Sequence, residues 1–320
     1  MLRGLSIFLS LAITSIAFNA DASKVCKHYA ERLPSLPQTQ CESASLQDAS
    51  ARSVKGRTIW TSDIQPADAD RRVLVIGGMH GDELSSAAMA FHWIGLAQTS
   101  AAGPSQGGDG PLGGQRGHAV PSVGATPAAP APAQAVHWRF IPALNPDGLF
   151  AKPAKRVNAR GVDLNRNFPT PNWARDSRIY WEKRTGKDPR RWPGMQPLSE
   201  PEARFLFEQM GSFKPNLIVS IHAPYGVLDF DGPSVPPSKL GRLYLDQVGI
   251  FPGSLGNYGG VHKGIPVVTI ELPNAARTPS EVEMRQMWLD LQRWMNERLG
   301  PPQASGKKLA AAPTSAQPSP

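Results

Sequence analysis

A chain of 320 residues with 40% apolar side chains can bury one large core or two small ones. The formal net charge is +8, but the 34 Lys and Arg are scattered with no run of five, which argues against a nucleic-acid partner. Past the first two dozen residues, no apolar run is long enough to cross a bilayer, so no stable membrane span is expected.

Residues 1–22 read as a signal peptide. Arg3 supplies the positive start, residues 5–17 form a short apolar stretch, and "ADA" at 20–22 is a small-residue cleavage site. This predicts a periplasmic or secreted protein; an uncleaved anchor is the alternative. Residues 23–57 form a polar lead-in with one amphipathic piece, "VCKHYAERL". Its Cys26 and Cys41 are the only cysteines of the chain. In an oxidising compartment they are expected to pair, stabilising by roughly 3 kcal/mol. Two free thiols are the alternative; with His28 alone beside them they would make a poor zinc site.

A body over 58–299 follows. "RTIWTSDI" and "RRVLVIGG" read as strands, and "ELSSAAMAFHWIGLAQ" has helical periodicity. Residues 100–135 are Gly, Pro and Ala without apolar period and read as a disordered insertion, with His118 solvated. "AVHWRFIPALNP" is a strand, followed by a long polar loop. "LSEPEARFLFEQMGSF" reads as a helix capped by Ser199 with Glu202 at its third position. "PNLIVSIHAP" and "GIPVVTIELP" are buried strands. A last helix is expected to start with Thr278 as cap and Pro279 as first residue. Residues 300–320 read as a disordered tail. The alternation predicts an α/β fold: one three-layer α/β/α domain with a mixed, mostly parallel central sheet.

Three of these strands end in ionisable groups: His80 with Glu83, His222, and Glu271. Buried strands seldom end so without purpose. Two His and one Glu are the ligand set of a catalytic Zn2+ that keeps one position open. Glu271 then fits as the base that takes a proton from water and hands it to a leaving amine. His92 and His137 read as structural, His262 as a loop residue, and Tyr225 as packing.

The motifs "GGMHGDE", "NPDG", "RVNARGVDLNRNFP", "SIHAPYG" and "TIELP" occur in order and resemble those of the M14-type zinc carboxypeptidases over about residues 58–298. The resemblance implies one zinc per chain on His80, Glu83 and His222, with Glu271 as catalytic glutamate. It implies that Arg156 polarises the scissile carbonyl and that Asn165 and Arg166 bind the terminal carboxylate. Other readings stay open: Arg160 in place of Arg156, Asn165 as a loop-backbone partner, Arg166 paired with Asp163. Tyr258 is matched to the family's substrate-contacting tyrosine. The compact domain and "HAPYGVLDFDGP" resemble the small bacterial branch that includes murein peptide amidases, which cut γ-D-glutamyl–diaminopimelate bonds. A murein stem peptide is therefore the expected partner, with Asp229 and Asp231 facing its distal ammonium; alternatively these acids only hold a turn before Gly232. The branch's usual role is cytoplasmic recycling, whereas an exported chain would trim stem peptides or released fragments. A broader-specificity carboxypeptidase, an aspartoacylase-type deacylase and a non-catalytic wall-binding module complete the alternatives.

Overall fold

The computed structural model describes residues 23–33, 35–102 and 135–299. The expected signal peptide, nearly all of the insertion with His118, and the tail lie outside these residues. Seven strands form one sheet in the order β1-β2-β4-β3-β5-β9-β6. They are β1 (Gln47–Arg52), β2 (Thr58–Ile64), β3 (Arg71–Ile76), β4 (Val136–Ile141), β5 (Leu217–His222), β6 (Val227–Asp231) and β9 (Val267–Glu271). A two-residue hairpin, β7 (Lys239–Leu240) with β8 (Leu243–Tyr244), stands apart. The inner strands β4, β3, β5 and β9 are parallel; β2 on one side and β6 on the other run antiparallel to them, and β1, antiparallel to β2, runs in their direction. No described helix is long and apolar enough to cross a membrane.

The middles of β3, β5 and β9 are mostly apolar and buried because both faces are covered, whereas β4 alternates, with His137 and Arg139 only half-buried. Val73 and Val75 belong to one core cluster and Leu74 and Ile76 to the other. The first cluster lies under α3 (Leu84–Ala101) and α7 (Glu281–Arg298), the second under α6 (Pro201–Phe213). These are the two outer layers. Each fully buried Val, Ile or Leu contributes about 1.5–3 kcal/mol, so the strands that carry the site are the most deeply anchored parts of the chain.

The lead-in is woven into this body. Residues 23–32 form a helix, α1, followed by α2 (Gln38–Ser43), and Tyr29, Leu33 and Leu36 join the first core cluster. Cys26 and Cys41 are disulfide-bonded and buried, with Cα atoms 5.4 Å apart. Arg32 donates from Nε to Leu149 O (2.6 Å), tying α1 to the α4 turn (Pro146–Leu149).

Several boundaries differ from expectation. Helix α6 is preceded by Glu200, not Ser199, and starts at Pro201, which needs no amide donor there. Helix α7 is capped by Ser280, whose hydroxyl accepts from Glu283 N, rather than by Thr278. Helix α3 continues through Ser100 to Ala101, into the segment read as insertion. Helix α5 (Trp173–Arg184) and strands β1 and β6 are additional to the expected elements; α5 and β1 are rich in polar residues, and β6 is a short alternation of apolar residues with Asp229 and Asp231.

Candidate metal centre and active site

The loop from β3 to α3 carries His80 and Glu83. It passes so close to the α4 turn that a Cβ at Gly81 would overlap the backbone of Gly148, so only glycine fits there. His222 and Glu271 are the last residues of adjacent parallel strands and register partners. Ligands gather at the carboxyl ends of the strands, where open α/β sheets bind them.

His80, Glu83 and His222 are buried, and their ligand atoms lie within 4.8 Å of one another, the one such cluster of ionisable groups among the described residues. His80 Nδ1 is 2.8 Å from Glu83 Oε1, and His222 Nδ1 is 3.0 Å from Glu83 Oε2. The two Nδ1 atoms are 3.1 Å apart. His80 Nε2 faces Asp163 Oδ1 at 3.0 Å and is assigned the ring proton; His222 Nε2 meets Ser220 Oγ at 3.0 Å and is assigned likewise. Both Nδ1 lone pairs then face each other and a carboxylate with no donor between them. Such a set calls for a cation, and tetrahedral zinc with bonds of about 2.0–2.1 Å takes this combination of ligands.

Arg156 is fixed beside this set. Its Nε donates to Asp163 Oδ2 (3.1 Å) and its Nη1 to Glu83 Oε1 (3.3 Å), leaving Nη2 without a protein partner among the described residues. Arg160 stands elsewhere, exposed and 3.6 Å from Glu200. Glu271 Oε2 is buried and accepts no hydrogen bond among the described residues. Burial is the main cause that pushes this carboxyl's pKa up.

A cavity of ≈ 250 Å³ joins these groups to Asn165, Arg166, Asp229 and Asp231. Asn165 Oδ1 accepts from Leu255 N (2.8 Å). Arg166 is buried, donates from Nη1 to Asn165 O (2.6 Å), leaves Nε unpartnered among the described residues, and lies 4.3 Å from the Phe251 ring centroid. Burial lowers its pKa to about 10, still a cation at neutral pH. It forms no ion pair with Asp163, whose carboxylate is taken by His80 and Arg156. On β6, Val227 pairs with Glu271 and Asp229 with Thr269, so alternation puts Val227, Asp229 and Asp231 on the face of Glu271. The Asp231 carboxylate fills the space that a Cβ at Gly256 would need. Burial, and then Asp229, raise the Asp231 pKa to about 6.

With this geometry in place, the sequence profile described as zinc carboxypeptidase matches residues 36–228. The chain belongs to the zinc carboxypeptidase family. The match spans the three ligand positions and stops before Asp229, Asp231 and Glu271, which rest on the geometry. The chain is similar to murein peptide amidase A of Vibrio campbellii, 32% identical over 149 residues, covering 44% of this chain and 59% of that protein. It is 30% identical over 158 residues to murein peptide amidase A of Escherichia coli K12, covering 47% and 64%. The chain thus spans about three fifths of these relatives. Carboxypeptidase A from Helicoverpa armigera shares the fold, with TM-score 0.53, 15% identity, and coverage of 80% and 70%.

Against this zinc carboxypeptidase frame, one expected site residue is out of place. Tyr258 lies on a wide helical turn (Gly256–His262) and is buried against Phe168 and Phe207, with ring centroids 6.1 and 5.7 Å away. Tyr258 does not line the cavity, because its ring completes the second core cluster. Tyr225, read as packing, is 57% exposed and is the tyrosine on the cavity wall. Sequence reasoning also missed Asp163 and Ser220, which hold the far nitrogens of the two ligand imidazoles, and the wall formed by Asp188, Arg190 and Arg191. Asp163 had a signal, its place two residues before Asn165. His137 pairs with Asp63 (2.9 Å), and neither it nor His92 or His262 lines the cavity.

Proposed function

We propose that the chain is a zinc-dependent peptidase that hydrolyses the γ-D-glutamyl–diaminopimelate bond at the end of murein peptides. The observation that carries the reading is a single cavity walled by the His80–Glu83–His222 set, Glu271, Arg166 and the acids Asp229 and Asp231. The similarity to two murein peptide amidases supports the substrate class.

His80, Glu83 and His222 would hold the zinc; what it supplies when bound is Lewis acidity and activation of water near neutral pH. Asn165 and Arg166 seat the terminal carboxylate, Arg by its planar fork. Arg156, through the free Nη2, steadies the charge that develops on the scissile carbonyl oxygen. Glu271 takes the proton of the attacking water and delivers it to the leaving amine. Its unpartnered buried oxygen keeps that lone pair available. Asp229 and Asp231 receive the distal ammonium of diaminopimelate.

We further read the chain as exported and active outside the cytoplasm. The signal-like start and the Cys26–Cys41 bond support this, since disulfides persist in oxidising compartments. Mass spectrometry of L-Ala-γ-D-Glu-diaminopimelate incubated with zinc-loaded protein should show release of diaminopimelate. The lysine analogue should be cut more slowly and an apolar analogue slowest; equal kcat/KM on all three contradicts the assignment.

A further inference from the structure

Next to the catalytic cavity lies a second hollow of ≈ 530 Å³, walled by Lys155, Val157, Trp181 and Trp192 together with Arg156 and Arg190. It shares Arg156 and Arg190 with the catalytic cavity, and none of Asn165, Arg166, Asp229, Asp231 or Glu271. The two hollows therefore adjoin at Arg156 and Arg190, away from the groups proposed to seat the leaving residue. Trp181 and Trp192 meet edge-on with ring centroids 4.5 Å apart, and Trp181 Nε1 donates to Asp188 O at 2.7 Å, so this aromatic wall is held in place. Both indoles remain half-buried. Two cations border them. Arg190 is paired with Asp82 (2.8 Å), whereas Lys155 is exposed and its ammonium has no ion pair among the described residues.

We infer that this hollow seats the N-acetylmuramyl sugar at the upstream end of the substrate, an inference that rests on the murein-peptide reading above. Upstream of the cut bond come the γ-linked D-Glu with its free α-carboxylate, then L-Ala, then the lactyl ether of the sugar. Three such units reach about 10 Å when extended, enough to leave the catalytic cavity and enter the adjoining hollow. A pyranose offers an apolar C–H face to an indole and hydroxyls to the rim, the mixture that an apolar pocket with a few polar groups accepts. The carboxylate passed on the way matches the positive rim at Lys155 and Arg190. The chain thus prefers stem peptides still attached to their sugar over the free peptide.

The test compares kcat/KM of full-length, zinc-loaded protein on N-acetylmuramyl-L-Ala-γ-D-Glu-diaminopimelate and on the free tripeptide. The sugar-bearing peptide should be favoured about tenfold, and in Trp192→Ala this ratio should drop to about one, with Trp192→Tyr restoring part of it. Saturation-transfer NMR on Glu271→Gln should show contact at the sugar ring protons, a readout that needs neither turnover nor the tryptophan variants. A wild-type ratio near one overturns the inference. So does a ratio that survives Trp192→Ala, or an equal gain from a benzyloxycarbonyl group in place of the sugar. Protein that cuts neither peptide refutes the underlying function instead.

Discussion

Glu271 and Asp231 are both carboxylates raised by burial, yet they are suited to opposite tasks. As the proposed base, Glu271 has to exchange a proton. Glu271→Gln keeps the shape and removes the exchange, so zinc measured by atomic absorption should stay near one per chain while kcat falls about 10²–10⁴-fold. Under the proposed reading, Asp231 has to stay ionised to hold an ammonium. With a pKa of about 6, it is protonated below that value. Selectivity for diaminopimelate over an apolar residue should therefore decline as pH falls through about 6, and Asp231→Asn should flatten the profile. The same shift acts on stability. An unfolded Asp ionises near its ordinary value of 3.8 while the folded one still holds its proton, so folding is weakened as pH rises from there through about 6. Asp231→Asn should accordingly melt higher than wild type at pH 7, by about 2–4 °C for each kcal/mol relieved, with little difference at pH 4. At this scale the sequence was legible where a role depends on residue type at a strand end, as with His80, Glu83, His222 and Glu271. It misled where the partner is distant in the chain. Asp163 is three residues from Arg166, but it binds His80 and Arg156, and Tyr258 sits in the right stretch with its ring turned to the core.

The elements that sequence patterning located are those whose pattern reports burial. β3, β5 and β9 are dominated by buried apolar residues because helices cover both faces, and α3 and α6 follow helical periodicity. Strand β1 reads "QDASAR" and lies at the sheet margin with alternating exposure, so it lacks that signature. Helix α5 buries only Trp173 and Ser177 and is polar almost all round. Helix starts failed for a different reason: α7 offers Thr278 and Ser280 as competing caps, and only backbone geometry decides between them. Ser280 accepts from Glu283 N, so Ser280→Ala should lower unfolding free energy by about 1 kcal/mol, while Thr278→Ala stays within about 0.5 kcal/mol. Urea titration of the two variants separates these outcomes; a larger loss for Thr278→Ala would reassign the cap.

For the whole molecule, the amino-terminal arm is a structural part of the catalytic body. Its Tyr29 packs on Phe91 of α3 and on Phe150, and Cys26–Cys41 closes the arm on itself. Exchanging both cysteines for serine should remove about 2–4 kcal/mol, seen as a lower Tm, while zinc content of the folded fraction stays near one per chain. Loss of zinc without loss of Tm would mean that the arm shapes the site directly. The same overall plan separates two duties across the sheet. His222 and Glu271 end inner parallel strands locked on both sides, whereas Asp229 and Asp231 ride on β6, the last strand of the order, with Val227 as the register partner of Glu271. If the proposed roles hold, a mutation on that outer strand can change which side chain is welcomed without moving the atoms that break the bond. Such an enzyme can change its diet in small steps, each one still active, and a breeder of new peptidases would begin at residues 229 and 231.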